Sequence, residues 1–496
     1  MSNIIQIHVD KHRRNLMKGF GAAVVAAAMS GRLFAAGGRP TAVVIGAGIG
    51  GLSAAWELLK AGFQVSIFEK EKYTGGRMVE LQMGPLYQFT HAQMISGDGD
   101  ELFSLADEVG IADQLAQFEF GKDRPRQILE QGVLNNGHGL YDLPSVWELA
   151  FNPKSAGKVP GLSTDTKKHL LLLQADMQAA KDTVDTCQAR TATAFDDESI
   201  GHYYERILGD QAAGDFLPSV IQPYCEWWGW PLYETSKAAL LPQFAAFEGA
   251  ILPKGGIGAL TRKLDSLLPV QNNTTVRYIT PPGTDGRHTV HYLNANMERR
   301  SVTPDVVVCA VEAKYLDKVV QQLTPKQDVL AKSSYFSKEA VICYILDDKH
   351  APNEYREVNY TTNHPDPLKA RTTTAIATPR IPELNFPPHV RFALARSDTA
   401  NWQKSGQTID DYCFPLAQDF YPALDKKHVV DIVNYTCDDL IFMPVGYAKQ
   451  MNEVLLEQEK SKRGMYFAGE YLAGAHTAAA CSSGRSVGRL IVKHWS

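Results

Sequence analysis

Disulfides cannot be what holds this chain together. Its seven cysteines, Cys187, Cys225, Cys309, Cys343, Cys413, Cys437 and Cys481, are odd in number and scattered, and no two are spaced as C-x-x-C. This excludes a disulfide framework and a cysteine zinc site, and leaves buried thiols that behave as small apolar side chains. A basic run is missing too. The formal net charge is −5, so nothing electrostatic points to nucleic acid as a partner. No repeat and no low-complexity segment follows the first 38 residues, no metal-ligand spacing stands out, and no acid–base dyad is evident. The apolar stretch from Gly19 to Ala28 is too short to span a bilayer.

The chain has 496 residues, 44% of them hydrophobic and 21% charged. That is long for one core and predicts two domains, one of them interrupted by the other. At the N-terminus, Arg13-Arg14-Asn15-Leu16-Met17-Lys18 precedes the weak apolar stretch, and Ala35-Ala36-Gly37 follows it. Paired arginines, a mild apolar middle and small residues resemble a twin-arginine export signal over residues 1–38. The first core strand begins close behind, near Thr41, and unpaired cysteines suit folding in a reducing compartment. The expectation is export to the periplasm through the twin-arginine machinery; the alternative is a leader that stays in the cytoplasm.

From Thr41 the pattern is strand, tight turn, helix, strand. Ala42-Val43-Val44-Ile45 is a short continuous apolar run, as for a strand buried on both faces. Gly46 to Gly51 form the turn, Leu52 to Lys60 a helix ended by Gly62, and Val65 to Glu69 the second strand. Pro304 to Val311 and Gly464 to Gly469 read as further buried strands, the first followed by helical turns over Ala313–Val320 and the second by a helix from about Ser482 to Lys493. His169 to Ala189 reads as a long helix, Thr274 to Ile279 as a strand, and Val341–Leu346 and Val390–Ala395 as strands of a separate sheet.

Gly46-Ala47-Gly48-Ile49-Gly50-Gly51 has the G-x-G-x-x-G spacing. Gly46 permits the turn, Gly48 lets backbone approach a pyrophosphate, and Gly51 allows helix and strand to pack closely. The helix start offers N–H groups and its positive dipole end to phosphates. Glu69, ending the second strand, can accept hydrogen bonds from ribose hydroxyls and disfavours a 2′-phosphate. Gly75-Gly76-Arg77 then brings a guanidinium back toward the diphosphate. Near the C-terminus, Phe467-Ala468-Gly469-Glu470 puts a carboxylate directly after a buried strand. The small run from Ala478 through Ala480 to Gly484 opens the last helix, whose N–H groups can face a ring that gains negative charge.

Taken together, Val43–Met78, Leu252–Leu260, Asp305–Val311 and Gly464–Val492 resemble the flavin amine oxidase superfamily, which includes protoporphyrinogen oxidases and phytoene desaturases. These segments cover about a sixth of the chain, in the family's order. The resemblance implies an α/β fold: a discontinuous Rossmann-like FAD-binding domain (39–115, 251–330 and 441–496) interleaved with an α+β substrate-binding domain (116–250 and 331–440). It implies FAD as cofactor, contacted by Gly46, Gly48, Gly51, Glu69, Gly76, Arg77, Gly469 and Glu470, by Val276 at the adenine end, and by Ala92, Gln93 and Ala480 near the flavin. Where the family has an Asp and then Gly-Ala, this chain has Phe89-Thr90-His91-Ala92-Gln93-Met94, and Ala479 replaces a glycine.

For catalysis the resemblance singles out Tyr471 and His476, nearest to the aromatic that cages an amine, and Lys338, near the lysine whose water touches the reactive flavin nitrogen. The alternatives are a surface position for Lys338 and a helix cap or packing role for His476. Trp227 to Trp230 form either second-domain core or a cavity wall, and Cys437 lies roughly where some members anchor flavin covalently. The reading is an FAD-dependent oxidoreductase that oxidises the C–N bond of a small amine or amino acid and passes electrons to O2, a quinone or a redox protein. The alternatives are desaturation or isomerisation of an apolar substrate, and electron transfer without turnover.

Overall fold

A computed structural model describes residues 38–496 apart from 84–85, 90–94, 97–98, 117–126, 135–139, 143–174, 177, 181, 210–220, 222–224, 226–227, 247–249, 252, 354, 363–371, 383–385 and 461–463. The leader, Ala92, Gln93 and Trp227 lie outside the described residues. Among the described residues, no helix is long and apolar enough to cross a membrane.

Five short strands make one parallel sheet: β1 (Thr41–Ile45), β2 (Gln64–Phe68), β3 (Val270–Gln271), β4 (Val306–Cys309) and β5 (Gly464–Phe467). Their order across the sheet is β5-β4-β1-β2-β3, with every pairing parallel. The sequence reason is the run of β-branched residues, Val43-Val44-Ile45 facing Val307-Val308-Cys309 in register, buried on both faces. On one face Ala42, Val44, Ile67, Val306 and Val308 pack under α1 (Ile49–Lys60) and the C-terminal helix α3 (Thr477–Trp495). On the other, Val43, Ile45, Val307 and Cys309 pack against Ile279 and Val290 of a three-stranded antiparallel sheet and against Met451 and Val454 of α2 (Tyr447–Lys460).

Two element boundaries differ from the pattern reading, for steric reasons. Helix α1 begins at Ile49, not Leu52, so Gly50 and Gly51 lie in its first turn. A Cβ on Gly51 would stand 2.0 Å from the Gly46 carbonyl oxygen, so this glycine serves close packing inside the helix. Helix α3 begins at Thr477, about five residues earlier than read, because His476 caps it and the small residues Ala478–Gly484 pack its first two turns against α1. A Cβ on Gly484 would come within 2.0 Å of the Gly50 carbonyl oxygen. The reading of an unbroken helix to Ala189 also fails: helical residues end at 183, and a 3-10 segment begins at Ala189, whose N–H donates to Ala473.

The separate sheet is present. Among the described residues it has seven strands, in the order Val429–Phe442, Tyr335–Leu346, His389–Leu394, Thr372–Thr378, Tyr355–Thr362, Gln127–Leu134 and Leu140–Asp142. Helix Ile409–Phe420 buries Tyr412, Cys413, Leu416 and Phe420 against Ile342, Tyr344 and Phe392 on one face of it. A helical cluster around Tyr203, Tyr204 and Leu240 takes Trp230, which is 1% exposed, stacks on Trp228 and donates to the Ile441 carbonyl. Trp230 is thus core, which decides against a cavity wall at this residue. All seven cysteines are buried thiols, Cys437 among them.

Candidate functional site

The turn between β1 and α1 is built by its glycines. Gly46 has φ +99° and donates to the Phe68 carbonyl, which locks the turn to the end of β2. At Gly48 a Cβ would meet nothing within 4 Å, so there is open space above the backbone there. Gly48 is also the N-cap of α1, with no side chain capping the helix and no acidic residue in its first turn. An uncapped helix start beside open space is what a diphosphate needs.

Glu69 closes the other side. Its carboxylate accepts from the Ala47 N–H at 2.7 Å and from the Glu71 N–H at 2.9 Å. Burial pushes its carboxyl above the usual carboxylate range, opposed by these two hydrogen bonds. Sequence reasoning placed Glu69 correctly at the strand end but did not identify its tie to Ala47, since the x positions of the glycine motif carry no side-chain signal. Val276 is half-buried against the same core. The segment ahead of it crosses Glu69, with the Thr274 N–H donating to the Glu69 carbonyl at 2.8 Å. The strand register slips between Val276 and Tyr278, the kind of irregularity that leaves backbone groups unpaired by the ladder.

Gly75 donates to the Ala47 carbonyl at 2.9 Å, and Gly76, with φ +58°, passes so near Gly48 that a Cβ would stand 3.2 Å from its Cα. This directs Arg77 toward the far end of the chain, where its Nη2 donates to Glu470 Oε1 at 2.6 Å. Gly469 precedes that carboxylate with φ +148° and donates to Ser483 Oγ at 3.0 Å. Gln458 holds the end of β5 by accepting from the Phe467 N–H at 2.7 Å and donating to its carbonyl. Ser483 and Gln458 were not singled out from sequence; a glutamine on the buried face of an amphipathic helix was the available signal. The structure therefore brings together Gly46, Gly48, Gly51, Glu69, Gly76, Arg77, Gly469 and Glu470. They fit a dinucleotide: open space, helix N–H groups, a buried carboxylate and a guanidinium surround one turn.

Three further assignments need correction. Ala480 sits in the first turn of α3 and its N–H is taken by the His476 carbonyl at 3.1 Å, so it cannot be a donor to a ligand. His476 is the cap of that helix: Nδ1 accepts from the Ala479 N–H at 3.3 Å and Nε2 meets the Thr186 carbonyl at 3.0 Å. Both ring nitrogens are used, which leaves neither for substrate. Tyr471 is 2% exposed and packs beneath the sheet with Cys309 and Tyr447, pressed against Gly469. Burial drives its hydroxyl well above the usual phenol range. It is a core residue, unable to cage an amine. Lys338 is exposed at the register slip between Ser337 and Glu339 and has no hydrogen-bond or ion partner among the described residues.

Residues 49–492 match the family described as flavin containing amine oxidoreductase. A phytoene desaturase of Cercospora nicotianae is 30% identical over 168 residues, 27% of this chain and 26% of the relative. The chain thus matches about a quarter of that relative's length. In fold, the cyclohexylamine oxidase of Brevibacterium oxydans IH-35A superposes with a TM-score of 0.66 at 14% identity, covering 92% of this chain and 99% of that one. A redesigned putrescine oxidase gives 0.65 at 16% identity with the same coverage.

Proposed function

The chain belongs to the flavin containing amine oxidoreductase family, and from that premise we propose that it oxidises the C–N bond of a small amine or amino acid. FAD is its cofactor, and when bound it supplies the two-electron acceptor for a hydride leaving the substrate carbon. The observation that carries this reading is the cradle around Gly48: an uncapped helix start, open space and the buried Glu69 carboxylate. The N–H groups at the start of α1 bind the diphosphate, Glu69 accepts from ribose hydroxyls, and Arg77 with Glu470 closes the opposite side. A substrate amine that arrives neutral needs no protein base. Lys338, whose ammonium has no partner among the described residues, is the residue offered to orient water or substrate.

A second reading is favoured by one observation. Tyr471 is withdrawn into the core and His476 is spent as a cap, so neither side chain is available to cage an amine. That suits removal of hydrogen across a C–C bond of an apolar substrate, and the partial likeness to a phytoene desaturase points the same way. Anaerobic mixing of flavin-loaded protein with amine, amino-acid and polyene panels separates the two. Bleaching by amines or amino acids supports C–N oxidation, bleaching by polyenes alone supports desaturation, and bleaching by none of them counts against both. Export by the twin-arginine route, and O2, a quinone or a redox protein as the electron acceptor, complete the proposal.

A further inference from the structure

The end of the seven-stranded sheet carries a group of side chains that the flavin chemistry does not use. Asp347 follows the strand Tyr335–Leu346, and His428 precedes the strand Val429–Phe442. Leu346 pairs with Val429 in register, so Asp347 and His428 are the next residues outward, and the Asp347 N–H donates to the His428 carbonyl at 3.1 Å. One turn of 3-10 helix, Asp348–His350, returns His350 to the same point. Asp347 caps that turn by accepting from the N–H groups of Lys349 and His350 at 3.0 and 3.1 Å.

Three donor atoms converge as a result. Nδ1 of His350 is 2.7 Å from Asp347 Oδ1, and Nδ1 of His428 is 3.7 Å from Asp347 Oδ2. The two imidazoles stack with centroids 3.3 Å apart and planes 17° from parallel. One ligand atom from each of the three residues lies within 4.8 Å of the others, and all three residues are half-buried, within reach of solvent. Three nearby cations are paired: Lys426 with Asp410 at 2.8 Å, Lys427 with Asp425 at 2.7 Å and Arg380 with Asp348 at 2.6 Å.

We propose that Asp347, His350 and His428 form a binding site for a divalent first-row transition ion such as Zn2+, which clamps the outer ends of the two longest strands of this sheet. Two imidazole nitrogens and one carboxylate oxygen are the donor set of a three-ligand zinc centre with water completing the tetrahedron. Ca2+ and Mg2+ are poorly served, because they take oxygen donors and this group has one carboxylate. Two features hold the three residues near one another: the Asp347 N–H bond to the His428 carbonyl, and the capped turn that returns His350. The site lies at the other end of Tyr335–Leu346 from the slip at Lys338.

The test uses untagged, full-length, flavin-loaded protein, stripped with chelator and titrated with Zn2+ by calorimetry, with zinc per flavin measured by atomic emission. One zinc per chain is expected, with a raised melting temperature, since a ligand of the folded state stabilises it. His428→Ala and Asp347→Asn should each weaken binding at least about tenfold, because each removes a ligand, while FAD content and the visible flavin spectrum stay unchanged. Cu2+ substitution should give an electron paramagnetic resonance spectrum with imidazole nitrogen coupling, lost in His350→Ala/His428→Ala. Absence of stoichiometric zinc, or zinc retained at full affinity by both single variants with normal flavin content, would overturn the proposal.

Discussion

The Arg77 guanidinium donates to the Glu470 carboxylate at 2.6 Å, joining the glycine-rich segment after β2 to the segment after β5. Glu470 is buried and Arg77 is partly exposed, so a charge-assisted bond spans the rim of the dinucleotide cradle. Glu470→Gln keeps the shape and removes the charge opposite Arg77. Apoprotein titrated with FAD should then bind about tenfold more weakly, and Glu69→Ala should lose about 1.5–3 kcal/mol, roughly tenfold to over a hundredfold in affinity. Unchanged dissociation constants in both variants would place the cofactor elsewhere.

His476 serves the helix. His476→Ala removes the cap of α3 and the tie to Thr186, and should lower stability by about 0.5–2 kcal/mol, read as a drop in melting temperature. The rate of flavin reduction by any substrate that bleaches the protein should stay as it was, and His476→Asn should recover much of the stability. A large fall in reduction rate with an unmoved melting curve would return His476 to the substrate.

The crossing of α1 and α3 has no room for a methyl group. Gly484→Ala would set a Cβ 2.0 Å from the Gly50 carbonyl oxygen, backbone that cannot step aside without moving α1. A loss of about 1–3 kcal/mol is expected, together with weaker FAD retention, since α1 carries the cradle. Denaturant melts of the wild-type and variant apoproteins measure it; coincident curves would mean the two helices are less tightly seated.

Acid should destabilise the fold in two stages. Burial takes the His389 imidazole down to about 4, against the pull of the Pro387 carbonyl. The unfolded chain therefore binds its proton first, and stability falls as pH drops from 6.5 toward 4. Burial alone would raise Glu108, but hydrogen bonds from Lys60, Trp56 and Arg485 outweigh it and bring that carboxyl down to about 2. Its contribution is present above 4.5 and is lost as pH falls from there toward 2. His389→Gln should flatten the first stage of a stability–pH curve and leave the second. A slope unaltered between pH 6.5 and 4 would assign that stage to other groups.

Export is tested by location. Arg13→Lys with Arg14→Lys should hold the protein in the cytoplasm, folded and loaded with flavin. Full-length native protein fractionating with the cytoplasm would show that the leader is no export signal.

What the sequence determined by itself was local. The strand, turn and helix from Thr41 to Lys60 could be read because the apolar run, the glycine spacing and Glu69 lie within one contiguous unit whose backbone conformations follow from residue type. The same holds for the buried strands Val306–Cys309 and Gly464–Phe467 and for two strands of the second sheet, read as Val341–Leu346 and Val390–Ala395 from their apolar runs; the other five strands of that sheet were not legible. Contacts between distant segments decided the rest. Ala478–Gly484 became the first turns of α3 because His476 found Thr186 and because Gly484 had to meet Gly50. Tyr471 lies one residue beyond Glu470, yet it turns into the core under Cys309 while Glu470 turns to Arg77, a difference of side that spacing does not encode. Asp347 and His428 meet only because two strands far apart in the chain pair so that Leu346 lies opposite Val429. Residue type sets what each segment can form; which side chains share a site depends on which surfaces are buried together, and that is settled only when the whole chain packs.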